Sequence, residues 1–117
     1  MSRYRRGDVV LADIVFFDDS GDLKSKPRPL VVIDVQDDTD NVTVVCSTKT
    51  HKASKFEGII VKKASSDGRD MSLDEDTFIY CNTTVVLLNK DIKRRIGTCP
   101  LIKDICEKLG YTPEDED

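Results

Sequence analysis

A chain of 117 residues with 38% apolar residues is long enough to bury one core without metal or disulfide staples, and no apolar run in it approaches the roughly 20 residues that cross a bilayer as a helix. The formal net charge of −4 argues at first against a nucleic-acid partner, yet residues 114–117 are all acidic, so residues 1–113 are formally neutral and the distribution of charge matters more than its sum. The N-terminus lacks the apolar region of a signal peptide, and the cysteines, Cys46, Cys81, Cys99 and Cys106, form no Cys-x-x-Cys pair, with His51 alone to join them; a cytoplasmic protein with reduced thiols, no metal and no cofactor is expected.

In chain order, Gly7 and Asp8 precede a β-rich run at residues 9–16 interrupted only by Asp13, which predicts a first strand covered on both faces. Residues 18–22, Asp-Asp-Ser-Gly-Asp, are turn chemistry and open a polar loop of about ten residues that ends at Arg28. Residues 30–35 read as a second strand, and a turn at 37–41 leads into a third at 42–48, expected to pair with the second. A basic loop at 51–55 precedes a fourth strand at 58–61, and residues 62–76 are polar enough for a mobile connection. The β pattern restarts at 78–81 and is expected to extend through 85–88. Asn89 is a candidate cap for a short helix over 90–95 ending at Gly97. Thr98 is a candidate cap for a second helix, with Pro100 in its first turn, Leu101, Ile102, Ile105, Cys106 and Leu109 on one face and Gly110 as terminator. Residues 112–117 are expected to be disordered, leaving one domain over residues 1–111. Short strands with one terminal amphipathic helix predict a mainly β fold with a C-terminal helix, built as a small, strongly curved antiparallel barrel whose functional residues collect at strand mouths.

Three basic clusters contain no interleaved acid: Arg3, Arg5 and Arg6; Lys24, Lys26 and Arg28; and Lys49, Lys52 and Lys55 with His51. Convergent, they would make a basic groove; apart, they are solvated loops. Within the second, Pro29 drives Arg28 toward extended backbone and Pro27 fixes its own φ, so Arg28 is expected to be held at a strand entrance. A fixed guanidinium suits a bidentate grip on phosphate or carboxylate; the alternative is a surface ion pair. If the second and third strands pair through a turn near Asp38, Arg28 and Thr48 become neighbours. The guanidinium then meets two oxygens of a phosphodiester and the hydroxyl a third as charge builds in the transition state. The alternative for Ser47 and Thr48 is capping of a loop backbone group.

Arg6-Gly7-Asp8-Val9-Val10-Leu11-Ala12-Asp13, Lys26-Pro27-Arg28-Pro29-Leu30-Val31-Val32-Ile33 and Val44-Val45-Cys46-Ser47-Thr48 resemble the PemK/MazF family of toxin endoribonucleases, and residues 77–82 and 88–97 resemble its later segments. The resemblance implies an SH3-like barrel, a homodimer, an antitoxin peptide as partner, and cleavage of single-stranded RNA at short sequences without a metal ion. It also implies that Arg28 and Thr48 sit at the scissile phosphate and that residues 17–27 close over substrate. The chain departs from the family at Tyr80-Cys81-Asn82, where many members carry Arg-Cys-Asp. Substrate contacts are expected from Lys24, Lys26, Ser47, Lys49, His51, Lys52 and Asn82, the last through a base edge. Candidates for proton transfer are Asp18, Asp19, Asp22 and His51, against which stand turn formation for the aspartates and an exposed loop position for the histidine.

Competing readings are a catalytically degenerate barrel that acts by binding an antitoxin or a protein target, as gyrase-directed relatives do, and an adaptor for Pro-rich peptides. The gyrase-directed version lacks the Trp-containing apolar C-terminus of those relatives, the degenerate toxin stays open through Tyr80 and Asn82, and the adaptor lacks an aromatic groove.

Overall fold

The structure, a computed structural model, describes residues 3–17, 19–36, 39–49 and 57–110. The strands are β1 (Asp8–Phe17), β2 (Leu23–Val35), β3 (Asn41–Val45), β4 (Ser47–Lys49), β5 (Gly58–Val61), β6 (Thr77–Tyr80), β7 (Val85–Leu88) and β8 (Ile92–Thr98); the helices are α1 (Ser66–Asp70) and α2 (Ile102–Leu109). Every strand pairing is antiparallel. The mainly β architecture with a C-terminal helix is the one expected, built as two sheets: five strands in the order β7-β3-β2-β1-β8 and three in the order β4-β6-β5. No closed ring of strands forms among the described residues.

Two cores lie on opposite faces of β2, which explains its unbroken apolar run. Val31 and Ile33 join Val9, Val45, Ile79 and Ile105 in one, beneath the small sheet and α2. Leu30 and Val32 join Val10, Ala12, Val44 and Ile92 in the other. A strand buried on both sides has no polar positions to alternate with, so it reads as continuous hydrophobicity. The five residues expected on the apolar face of α2 all pack on the first core, with Ile105 fully buried. Gly110 terminates this helix at φ 70, a left-handed cap that costs glycine little.

Several expectations are corrected. The polar loop before Arg28 is largely strand: β1 and β2 stay in register from Val9↔Val31 out to Phe17↔Leu23, so residues 23–28 form one side of a long hairpin arm. Prolines do not break it, because the Ser47 hydroxyl donates to the Pro29 carbonyl at 2.6 Å. That carbonyl, and with it the missing N–H, faces β4 and not β1; Pro27, two residues back, shares the orientation, so the β1 ladder loses no donor. The expected third strand divides at Cys46 into β3 and β4, which belong to different sheets. Residues 85–88 do not extend β6 but form β7, paired with β3. Residues 62–76 contain α1, capped where the Ser65 hydroxyl accepts from the Gly68 N–H at 3.0 Å, and they bury Met71 and Leu73 in the first core.

The helix expected over 90–95 is instead a 3-10 turn, Asn89–Asp91, followed by β8. Isoleucines four apart, Ile92 and Ile96, fall on one face of a strand as well as of a helix, and the open edge of β1 decides between them through Ala12↔Ile92 and Asp8↔Thr98. Thr98 accordingly does not cap α2; its hydroxyl accepts from Arg95 Nη2 at 2.6 Å. The expected disordered tail lies outside the described residues. No described helix is long and apolar enough to cross a membrane.

Candidate active site

The β2–β3 register sets the geometry. Val31↔Val45 is the last pair of that ladder, and beyond it the Ser47–Pro29 hydrogen bond ties β4 to β2, so Thr48 and Arg28 each lie one residue from that contact. The pleat then fixes sides. Ser47 pairs across β4–β6 with Ile79 of the first core and spends its proton on Pro29. Thr48, next in the strand, pairs with Phe78 and so lies on the opposite face. Arg28 pairs with Ala12 of the second core, also away from the first. Arg28 and Thr48 thus both point away from the first core, each one residue from the contact that joins β2 to β4. Thr48 is 8% exposed, and among the described residues no hydrogen bond occupies its hydroxyl.

Lys24 pairs with Phe16, Lys26 with Ile14 and Arg28 with Ala12. Because strand side chains alternate, the three cations share one face of the hairpin arm, about 6.6 Å apart along it. The opposite face carries Leu23, Val15 and Phe17, all exposed. The expected polar loop has therefore become a row of positive charge along β2 that ends at Arg28.

The other predicted residues divide. Asp19 and Asp22 lie exposed at the turn of the arm, and Asp22 is about 20 Å along the strand from Arg28, so the structure does not bring them to the Arg28–Thr48 pair. Lys49 closes β4 opposite Thr77. Asn82 is exposed just beyond β6. Asp18, His51 and Lys52 lie outside the described residues. The N-terminal basic cluster does not converge with the second: Arg6 Nε donates to the Ile33 carbonyl at 3.1 Å, at the far end of β2. Arg95 is likewise committed, its Nε donating to Asp8 Oδ1 at 3.0 Å.

Lys26 and Arg28 also wall a cleft of ≈ 570 Å³ shared with Leu11, Arg94, Asp74 and Glu75, in which cations and carboxylates are mixed; Thr48 does not line it. The four cysteines are free. Burial raises the Cys46 and Cys81 thiols and pushes Cys99 up to about 11, so these three stay protonated at neutral pH and offer no thiolate nucleophile.

Sequence reasoning missed the aromatic pair beside Thr48. Phe78 and Tyr80 have ring centroids 5.3 Å apart at 87°. Their two-residue spacing in Thr77-Phe78-Ile79-Tyr80 was the signal: Ile79 points into the core, so both rings share the face away from it.

Residues 5–109 match a family model described as "PemK-like, MazF-like toxin of type II toxin-antitoxin system". No curated protein matches the chain.

Proposed function

The chain belongs to the family of PemK-like, MazF-like toxins of type II toxin-antitoxin systems, and from that premise we propose that it is an endoribonuclease that cleaves single-stranded RNA at short sequence motifs. The observation that supports this reading is the Ser47–Pro29 bond at 2.6 Å, which clamps β4 to β2 one residue from both Arg28 and Thr48. In the reaction the 2′-oxygen of a ribose loses its proton and attacks the adjacent phosphorus. The bond to the 5′-oxygen breaks, that oxygen takes up a proton, and the products are a 2′,3′-cyclic phosphate and a 5′-hydroxyl. Arg28 stabilises the charge gathering on two non-bridging oxygens, and the Thr48 hydroxyl donates to a third oxygen. Neither is a base, so the proton carriers are other groups, for which Asp18 and His51 remain candidates. The cation row on β2 supplies the sequence-independent attraction for the RNA backbone.

A family of toxins implies an antitoxin that neutralises this one, with a homodimer as the active form and the cytoplasm as the site of action. Tyr80 and Asn82, where the family often has Arg and Asp, favour one second reading, a barrel that binds but does not cut. The test is to incubate the purified protein with a long unstructured RNA in the presence of EDTA and to determine the chemistry at each new terminus. Cyclic phosphate and 5′-hydroxyl ends are expected. Intact RNA from a protein that still binds an antitoxin peptide would establish the second reading instead.

A further inference from the structure

We propose that Tyr80 is a stacking platform for a nucleobase of the RNA strand, next to the phosphate gripped by Arg28 and Thr48; the position of that phosphate rests on the nuclease reading, while the platform itself rests on the small sheet. Thr48 pairs directly with Phe78 across β4–β6, so Tyr80, two residues along β6, is its diagonal neighbour on the same face, about 7–8 Å away. That span is comparable to the reach from a phosphate to the base of the same nucleotide.

The ring is held in place from three directions. Its backbone N–H donates to the Cys46 carbonyl at 3.0 Å, continuing the β4–β6 spacing past the end of β4. Edge-on packing against Phe78 restrains its tilt. Opposite Tyr80 in β5 stands Gly58, and a side chain there would collide with the Phe78 ring and the Ile79 carbonyl. Phe78 therefore leans over the glycine and backs Tyr80.

Exposure separates the two rings. Phe78 is 3% exposed and belongs to the packing, whereas Tyr80 is only half-buried. Ile60, opposite Phe78, is exposed at 49%. An apolar strip thus runs over the small sheet from Thr48, ending in a restrained aromatic ring at the protein surface. Single-stranded RNA presents unstacked bases that gain free energy on such rings, and the gain tolerates any base. Asn82, exposed two residues beyond, carries both a donor and an acceptor for a base edge. The departure from the arginine common in the family thereby exchanges a cation for a base contact.

The chain contains no Trp, so Tyr80→Trp installs a single indole at the proposed platform. Its emission is followed while two uncleavable ligands of equal length and charge are added: a 2′-O-methyl oligoribonucleotide and its abasic counterpart, with binding of each measured separately by anisotropy. Saturable quenching by the base-bearing oligomer alone is expected. Equal quenching by both, or binding without quenching, overturns the platform, and so does a failure of the base-bearing oligomer to bind at all. In cleavage assays Tyr80→Phe should keep the parental KM, and Tyr80→Leu should raise it about tenfold with little change in kcat. Parental KM in Tyr80→Leu refutes the platform and leaves the nuclease reading standing. Base-dependent quenching in a protein that never cuts RNA keeps the platform and refutes the nuclease.

Discussion

Ser47 and Thr48 are adjacent hydroxyls on opposite faces of β4, and replacing each in turn should separate stability from catalysis. Ser47 is 6% exposed and donates to Pro29 at 2.6 Å. Ser47→Ala removes that donor and leaves the carbonyl to find poorer solvation, a loss of about 1–2 kcal/mol. In a domain of this size that lowers the melting temperature by roughly 3–8 °C. Thr48→Val exchanges a hydroxyl with no described partner for a methyl of similar shape, so stability should stay within about 0.5 kcal/mol of the parent. Its effect belongs to cleavage, where losing one donor to a developing oxyanion costs about 100- to 1,000-fold in rate. Thermal unfolding followed by circular dichroism, paired with single-turnover cleavage of one RNA, reads both quantities. A Ser47→Ala protein that melts with the parent would refute the clamp, and a Thr48→Val protein that cuts at the parental rate would refute the assignment of the hydroxyl.

Other outcomes follow from packing and ionisation. Ile105 is fully buried where α2 meets the sheet, so Ile105→Ala should cost about 2–5 kcal/mol, read as a lower midpoint in urea. Gly58→Ala forces a methyl against the Ile79 carbonyl and the Phe78 ring; it should destabilise the fold and alter the near-ultraviolet circular dichroism of the aromatic pair. Cys99 is neutral in the folded protein until about pH 11, whereas in the unfolded chain it ionises from its ordinary value of 9.0. Above pH 9 the unfolded state therefore releases its proton first, and stability falls by up to about 2–3 kcal/mol as pH rises toward 11, with no contribution below pH 9. Denaturant unfolding at pH 8, 9 and 10 should show the decline, with a shallower slope in Cys99→Ala; Cys46 and Cys81, shifted the same way, leave a residual slope.

Much of the fold was legible because strong local signals agreed with the tertiary arrangement. The apolar halves of β1 and β2, the strands at residues 58–61 and 77–80, and α2 with its Gly110 terminator all appear close to where pattern alone puts them. The failures share one physical origin, the pairing partner. Residues 23–27 alternate Leu, Lys, Ser, Lys and Pro, a poor strand until β1 lies alongside them. Residues 92–98 fit two periodicities, and only the free edge of β1 selects one. Met71 and Leu73 sit in polar company, and their burial depends on the first core beneath them. At the site, the approach of β4 to β2 at Pro29 was readable because a turn between two apolar runs sets their register. Ser47 was not separable from Thr48, since which face each takes is decided by Pro29 and Ile79, both distant in sequence.

The claim on which the account depends is that Arg28 and Thr48 act on the same phosphorus, and a double-mutant cycle in single-turnover cleavage tests it most directly. Groups that serve one transition state are non-additive. Arg28→Ala and Thr48→Val should each slow cleavage, and the protein carrying both changes should be little slower than the slower single variant. Losses that multiply in full would mean that the two side chains work independently, and would contradict the account.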